Sequence, residues 1–182
     1  MSAGPTGIID FWFGEPMNRH WFRSTAALDG EIRERFGPVW RLAAHGGLSD
    51  WKQTAEGCLA LAIVLDQFPL NMFRGQAKAF STEAQAIEVA VDAVNRGFDR
   101  QLPAEQRAFL YMPLMHSEDL AHQDQSIRLF EQAGLESNVR FARHHRELVR
   151  RFGRFPHRNA ILGRTSTDEE LAYLASKEAF KG

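Results

Sequence analysis

Apolar positions recur at intervals of three and four over most of this chain, the spacing of one face of an α-helix. Leu28, Ile32, Phe36, Val39 and Ala43 make the clearest stripe, closed by Gly46-Gly47. A second helix runs from about Glu56 to Phe68 and stops at Pro69, which lacks the N–H that a helix interior needs. Thr82-x-x-Gln85 reads as a capping box opening a third helix, with Phe80, Ile87, Val91 and Val94 as its apolar positions before Gly97. Pro103 opens a short helix that Pro113 interrupts. From Pro113 a long helix reaches Gly134, another spans about Asn138 to Phe152, and Thr167-x-x-Glu170 caps the last. The connections are short, so neighbouring helices are expected to pack antiparallel. No linker or low-complexity stretch divides residues 1–182. The expected fold is therefore all-α, a single domain of stacked antiparallel helix pairs. Gln67-Phe68-Pro69-Leu70-Asn71 and Arg154-Phe155-Pro156-His157-Arg158-Asn159 echo each other 87 residues apart, as two similar helix-to-turn junctions.

Polar residues on apolar faces are the candidates for chemistry. The helix Glu56–Phe68 carries Cys58, Leu59, Leu61, Ile63, Val64 and Leu65 around its whole circumference, the mark of a buried helix. Asp66 and Gln67 close it, and a buried carboxylate needs a charged or hydrogen-bonding partner. Arg74, Arg154 and Arg158 are nominated, and a plain tie between helix end and loop is the competing account. Cys58 reads as a small core residue rather than a nucleophile.

On the expected helix Met115–Gly134, His116, Leu120, Gln123, Ile127 and Phe130 form one stripe, with Asp119 at its edge and Glu118 turned to solvent. His116 with Asp119 could act as general base and orienting carboxylate, or supply two metal ligands with His122 pointing away. A core histidine satisfied by hydrogen bonds explains the same pattern, and no metal motif accompanies it. Residues 139–164 hold eight Arg, three His and a single acid, Glu147, a net of +7. Phe141, His145, Leu148, Val149 and Phe152 form the apolar stripe there. The arginines are left on outer faces, to pair with acids such as Asp124, Glu131 and Glu136. Arg154, His157, Arg158, Asn159 and Arg164 come next, in a Pro- and Gly-punctuated loop, and loops carry function more often than helix faces do.

Composition narrows the class. Ala occurs 23 times against 14 for Val plus Ile, favouring helix over strand. With 44% hydrophobic and 25% charged residues and a net charge of −1, the chain is neither disordered nor a generally basic nucleic-acid binder. Arg outnumbers Lys 18 to 4, and the planar guanidinium is the better partner for a carboxylate or phosphate. One cysteine forms no internal disulfide, and the longest apolar run, Cys58–Leu65, has eight residues, too short for a membrane span. A cytoplasmic location is expected, without membrane, cofactor or structural metal. All four Trp (Trp12, Trp21, Trp40, Trp51) fall early, predicting an aromatic cluster there.

Several segments together carry a family resemblance: Asp10-Phe11-Trp12-Phe13-Gly14, Leu65-Asp66-Gln67-Phe68-Pro69-Leu70-Asn71 with Arg74-Gly75, and His116-Ser117-Glu118. Arg154-Phe155-Pro156-His157-Arg158-Asn159, Gly163-Arg164, and Thr167 with Glu169-Glu170 complete it. In order and spacing they resemble an uncharacterised bacterial domain-of-unknown-function family, number 924. Its fold belongs to the tetratricopeptide-repeat-like helical superfamily. Leu70 stands where that family usually shows Arg. The resemblance implies an all-α, repeat-like fold and brings no activity with it.

These residues support three functional readings. The first is a helical binding or scaffold protein with a polar groove for a small anionic ligand or a peptide or protein partner. Asp66, Gln67, Asn71, Arg74, His116, Gln123, Arg154, His157, Arg158, Asn159 and Arg164 would line it. The second is a hydrolase-like enzyme with His116 and Asp119 or Asp66 as acid and base. The third makes the same residues a closed structural network.

Overall fold

The structure is a computed structural model that describes residues 4–180. Among the described residues the chain is all-α, with no strand. Two compact units form. The first takes the chain up to Arg74 together with Lys78–Pro113, and the second takes Gly75–Ala77 and the chain from Leu114 onward.

The first unit contains α1 (Pro5–Phe13), α2 (Ala26–Ala44), α3 (Ala55–Ala62), α4 (Phe68–Met72), α5 (Glu83–Asn95) and most of α6 (Ala104–His116). The expected stripe of α2 is buried throughout, from Leu28 to Ala43. Helix α3 packs against both α1 and α5, and α2 lies on α4. The chain entering α3 passes very close to its first turn: a Cβ on Gly57 would sit 1.9 Å from the Trp51 carbonyl oxygen, so only glycine fits. The early aromatic cluster is built on Trp12, fully buried, with ring centroids of Trp21, Phe68 and Phe109 at 6.5, 5.7 and 5.6 Å. Trp40 stands apart, against Phe73 at 4.9 Å. On α5 the fully buried stripe is Ala86, Val89, Ala90 and Ala93, one step round from the expected Ile87, Val91 and Val94.

The second unit contains the end of α6, α7 (Leu120–Gln132), α8 (Glu136–Phe152) and α9 (Asp168–Leu174). Helices α7 and α8 pack antiparallel. Arg143 reaches Glu131 at 2.7 Å near the turn joining them, and Arg146, further along α8, reaches the earlier residue Asp124. The inward face of α8 is Val139, Ala142, His145, Leu148 and Val149. Phe141, expected inward, is 58% exposed. Gly153 ends α8 at φ 71°, its N–H donating to the Val149 carbonyl in the left-handed closure that glycine adopts without strain. The capping box expected at Thr167 and Glu170 is present at α9.

Two prolines behave differently from expectation. Pro113 lies inside α6, which runs unbroken to His116. The long helix expected from Pro113 instead breaks at Ser117-Glu118-Asp119. Asp119 caps α7, its Oδ1 accepting the Ala121 and His122 N–H groups at 2.7 and 3.3 Å. The orphaned carbonyls at the end of α6 find side-chain donors. Gln123 Nε2 donates to Met115 O and Ser117 O, and Arg158 Nη2 donates to His116 O at 2.8 Å.

Pro69 does not end its helix either. Ile63–Gln67 forms a π-helical turn, in which the Phe68 N–H reaches back five residues to Ile63 O, and α4 continues to Met72. Pro69 offers no N–H to the Leu65 carbonyl four residues before it. Thr82 Oγ1 supplies the donor instead, at 2.6 Å, and accepts the Trp40 indole N–H at 3.2 Å. That engagement removes Thr82 from the expected capping box; its side chain makes no cap to α5.

Candidate functional site

In the first unit the π turn carries Asp66 and Gln67, 5% and 7% exposed. Gln67 Nε2 donates to Asp66 Oδ2 and lies 3.7 Å from Met112 Sδ. Arg74 forks onto Asp29, with Nε and Nη2 donating to the two carboxylate oxygens at 2.8 and 3.1 Å. Asn71 Nδ2 and Ser24 Oγ donate to the same carboxylate, each at 2.8 Å. Burial alone would raise the Asp29 pKa, but the Arg74, Asn71 and Ser24 hydrogen bonds outweigh it and hold the carboxyl below its ordinary 3.8. Arg74, nominated for Asp66, is thus the partner of a residue that the sequence did not single out. Cys58 is fully buried and burial pushes its thiol up to about 11, so no reactive thiolate forms at neutral pH.

The second unit gathers the remaining candidates after α8. Arg154 forks onto Glu170 at 2.7 and 2.8 Å and also donates to Thr165 O. Glu170 is 2% exposed; the Arg154 hydrogen bonds, outweighing burial, hold its carboxyl down to about 2. Arg164 forks onto Glu118 at 2.7 and 2.9 Å, donates through Nε to Asn159 Oδ1 at 2.9 Å, and reaches Phe155 O. Asn159 Nδ2 donates to Ser166 Oγ at 3.0 Å. Glu118 also accepts the Phe155 N–H at 2.8 Å. It was expected in solvent. Its half-buried place arises from the helix break, which turns residue 118 off the line of α7. Burial works against its charge, but Arg164 and the Phe155 N–H prevail and keep the carboxyl below 4.5.

Asp119, the carboxylate that could orient His116, accepts the Ala121 and His122 N–H groups as the α7 cap. Gln123 is fully buried, and its amide nitrogen joins the end of α6 to α7, while its Oε1 has no hydrogen-bond partner. His122 Nδ1 lies 2.9 Å from Ser117 Oγ. Among the described residues no group of three or more His, Cys, Asp or Glu is arranged to hold a metal ion.

A different group converges. His116, His144, His145 and His157 lie around the rings of Phe155 and Phe180. The His145 ring centroid is 6.5 Å from His116, 6.2 Å from His144, 5.4 Å from Phe155 and 4.7 Å from Phe180. The His157 ring is 5.6 Å from Phe155 and 5.1 Å from Phe180. Arg158, 6% exposed, lays its guanidinium 4.7 Å from the Phe155 centroid. Burial pushes His145 down to about 3, and burial together with the Arg158 charge pushes His157 down to about 4, so both rings are neutral at pH 7. His145 Nδ1 bonds Phe141 O at 2.8 Å, whereas His157 Nδ1 is buried with no hydrogen-bond partner. A buried nitrogen without a partner is unusual in a folded protein, where nearly all such groups are hydrogen-bonded. The sequence flagged His116, His157 and Arg158, and it placed His145 inside. It gave no sign of Phe180.

Comparison with known proteins agrees with this all-α description. The model of a family described as bacterial protein of unknown function (DUF924) matches residues 8–178. The chain belongs to the DUF924 family. A solved structure of a protein of unknown function from Agrobacterium tumefaciens is similar at 41% identity, with a TM-score of 0.88, over 94% of this chain and 96% of that one. No curated protein matches. The segments through which the sequence resembles DUF924 include many of the groups just described: the π turn at Asp66 and Gln67, the helix break after His116, the Arg154–Asn159 segment and the α9 capping box. No described helix is long and apolar enough to cross a membrane.

Proposed function

We propose that this DUF924 protein is a cytoplasmic binding protein, with the repeat-like α7–α8 hairpin supporting a site for a small anion or an anionic group on a peptide. The site is His116, His157 and Arg158, with His145 beneath. The observation carrying this reading is the buried, unpartnered Nδ1 of His157. That ring is flanked by the Arg158 cation, whose influence helps to lower its pKa. A carboxylate or phosphate oxygen would accept a hydrogen bond from that ring nitrogen. Arg74, Arg154 and Arg164 each fork onto a carboxylate and lie outside the histidine cluster.

The test is a titration of the protein with inorganic phosphate, sulfate and acetate, monitored by histidine NMR and thermal melting. At least one anion should shift the His157 resonances saturably and raise Tm, since a ligand bound only to the folded state stabilises it. His157→Phe should abolish the effect and Arg74→Ala should leave it intact. If none of the three anions moves the His157 signals, the reading is wrong.

A further inference from the structure

The C-terminal end of the described chain lies on the same histidines. Phe180 is half-buried, with its ring centroid 4.7 Å from His145, 5.1 Å from His157 and 6.1 Å from His144. It is held from behind by Tyr173 of α9, whose hydroxyl accepts the Phe180 N–H at 2.8 Å, while Phe180 also packs against the cluster of Leu148, Val149, Phe155 and Tyr173. No helix contains Phe180: α9 ends at Leu174, and the described residues beyond it are held by hydrogen bonds of turn type around Ser176 and Glu178 and by the Phe180 ring. Segments held by so few contacts open at lower free energy than helices do.

We propose that the tail bearing Phe180 is a hinged lid over the histidine cluster, and that opening it is coupled to the uptake of protons by His145 and His157. The inference rests on the preceding reading only in naming what the lid covers. Its physical basis is dehydration. The lid contributes an apolar face to two imidazoles, and a dehydrated imidazole resists charging. Lifting the ring admits water, and each histidine then regains an ordinary affinity for its proton.

The groups facing the two rings are His116 from the end of α6, Glu118 from the α6–α7 turn, His144 from α8, and Arg158 and Arg164 from the segment after α8. All but Glu118 disfavour a second positive charge in the closed form. Glu118, engaged by Arg164, offsets little of it. Because the open form binds more protons, falling pH favours opening. With one additional proton per histidine, the open-to-closed ratio rises by roughly tenfold per histidine for each pH unit below about 6.

The experiment uses the ligand-free protein in a buffer without phosphate or carboxylate. Histidine ring titrations by NMR are compared between the native chain and Phe180→Ala, with the urea-unfolded chain as the reference. Amide exchange at Phe180 is measured from pH 7 to pH 5. In the native chain His145 and His157 should titrate far below their midpoints in the unfolded chain; in Phe180→Ala they should rise toward those midpoints. Protection at Phe180 should fall by roughly tenfold or more per pH unit below about 6, beyond the change in intrinsic exchange. Tyr173→Phe, which removes only the hydroxyl that accepts the Phe180 N–H, should shift both measurements the same way by less, and serves if Phe180→Ala does not fold. Unchanged midpoints in both variants, or protection at Phe180 independent of pH, overturn the lid. Neither measurement involves an anion, so failure here leaves the binding reading standing, and absence of anion binding leaves the lid standing.

Discussion

At the scale of single residues, the chemistry of this protein is dominated by groups whose proton affinity is lowered by folding. His145 and His157 are pushed to about 3 and about 4 from an ordinary 6.5, Glu170 to about 2 from 4.5, and Asp29 and Glu118 lie below their ordinary values. The sign is the same for all five. In each case the unfolded chain takes up a proton at a higher pH than the folded chain does, so stability is lost as pH falls. The windows differ. The histidines act from pH 6.5 downward, and the carboxylates only below about pH 4.5. Urea unfolding at a series of pH values should show stability falling by about 1.4 kcal/mol per pH unit for each of the two histidines between pH 6 and 4.5. His145→Phe should reduce that slope by about one proton, down to about pH 3, and leave the carboxylates' share of the loss intact. Glu170→Gln should do the reverse, flattening only the acid end. An unchanged slope in His145→Phe would mean that its ring is hydrated and titrates normally.

At the scale of elements, what decides the outcome is which carbonyls lose their helical donors and what replaces them. Two helix junctions illustrate this. The Leu65 carbonyl, freed by Pro69, is recovered by Thr82, seventeen residues later in sequence, and the helix continues. The end of α6 is recovered by Gln123 and Arg158, and there the helix stops. Neither rescue is visible in local pattern, which is why the sequence stopped one helix at Pro69 and ran another through Ser117. Elements whose signals are local were legible: the buried stripe of α2, the Thr167–Glu170 box, and the glycine stop after Phe152. The same division holds for the candidate site. Arg164 and Asn159, five residues apart in one loop, meet in a local hydrogen bond, whereas the Arg74–Asp29 fork spans forty-five residues and leaves no local signal. Replacing Thr82 by Val keeps its volume but strands the Leu65 carbonyl and the Trp40 indole in a buried setting. That substitution should cost about 1–3 kcal/mol by denaturant unfolding, and Thr82→Ser should recover most of it.

At the scale of the whole molecule, a net charge of −1 conceals opposed segments: residues 139–164 carry +7 and residues 115–136 carry −4. Within the second unit these segments neutralise each other directly, through Arg143 with Glu131, Arg146 with Asp124, and Arg164 with Glu118. The abundance of Arg over Lys fits this use, because the guanidinium fork matches a carboxylate in two parallel hydrogen bonds, as at Glu118, Glu170 and Asp29. We expect a basic helix compensated in this way to offer little free charge to a phosphate backbone. Fluorescence anisotropy with a labelled single-stranded oligonucleotide at physiological salt should therefore show no saturable binding. The pairs also differ in what they contribute. Arg143 and Glu131 are 64% and 44% exposed, so Arg143→Ala should change stability by less than about 1 kcal/mol. Arg164 and Glu118 are 23% and 26% exposed, and Arg164→Ala would leave a half-buried carboxylate short of donors, at a cost of about 1–3 kcal/mol. Equal effects of the two substitutions, or tight oligonucleotide binding, would show that the arginines face outward for a partner rather than inward for the fold.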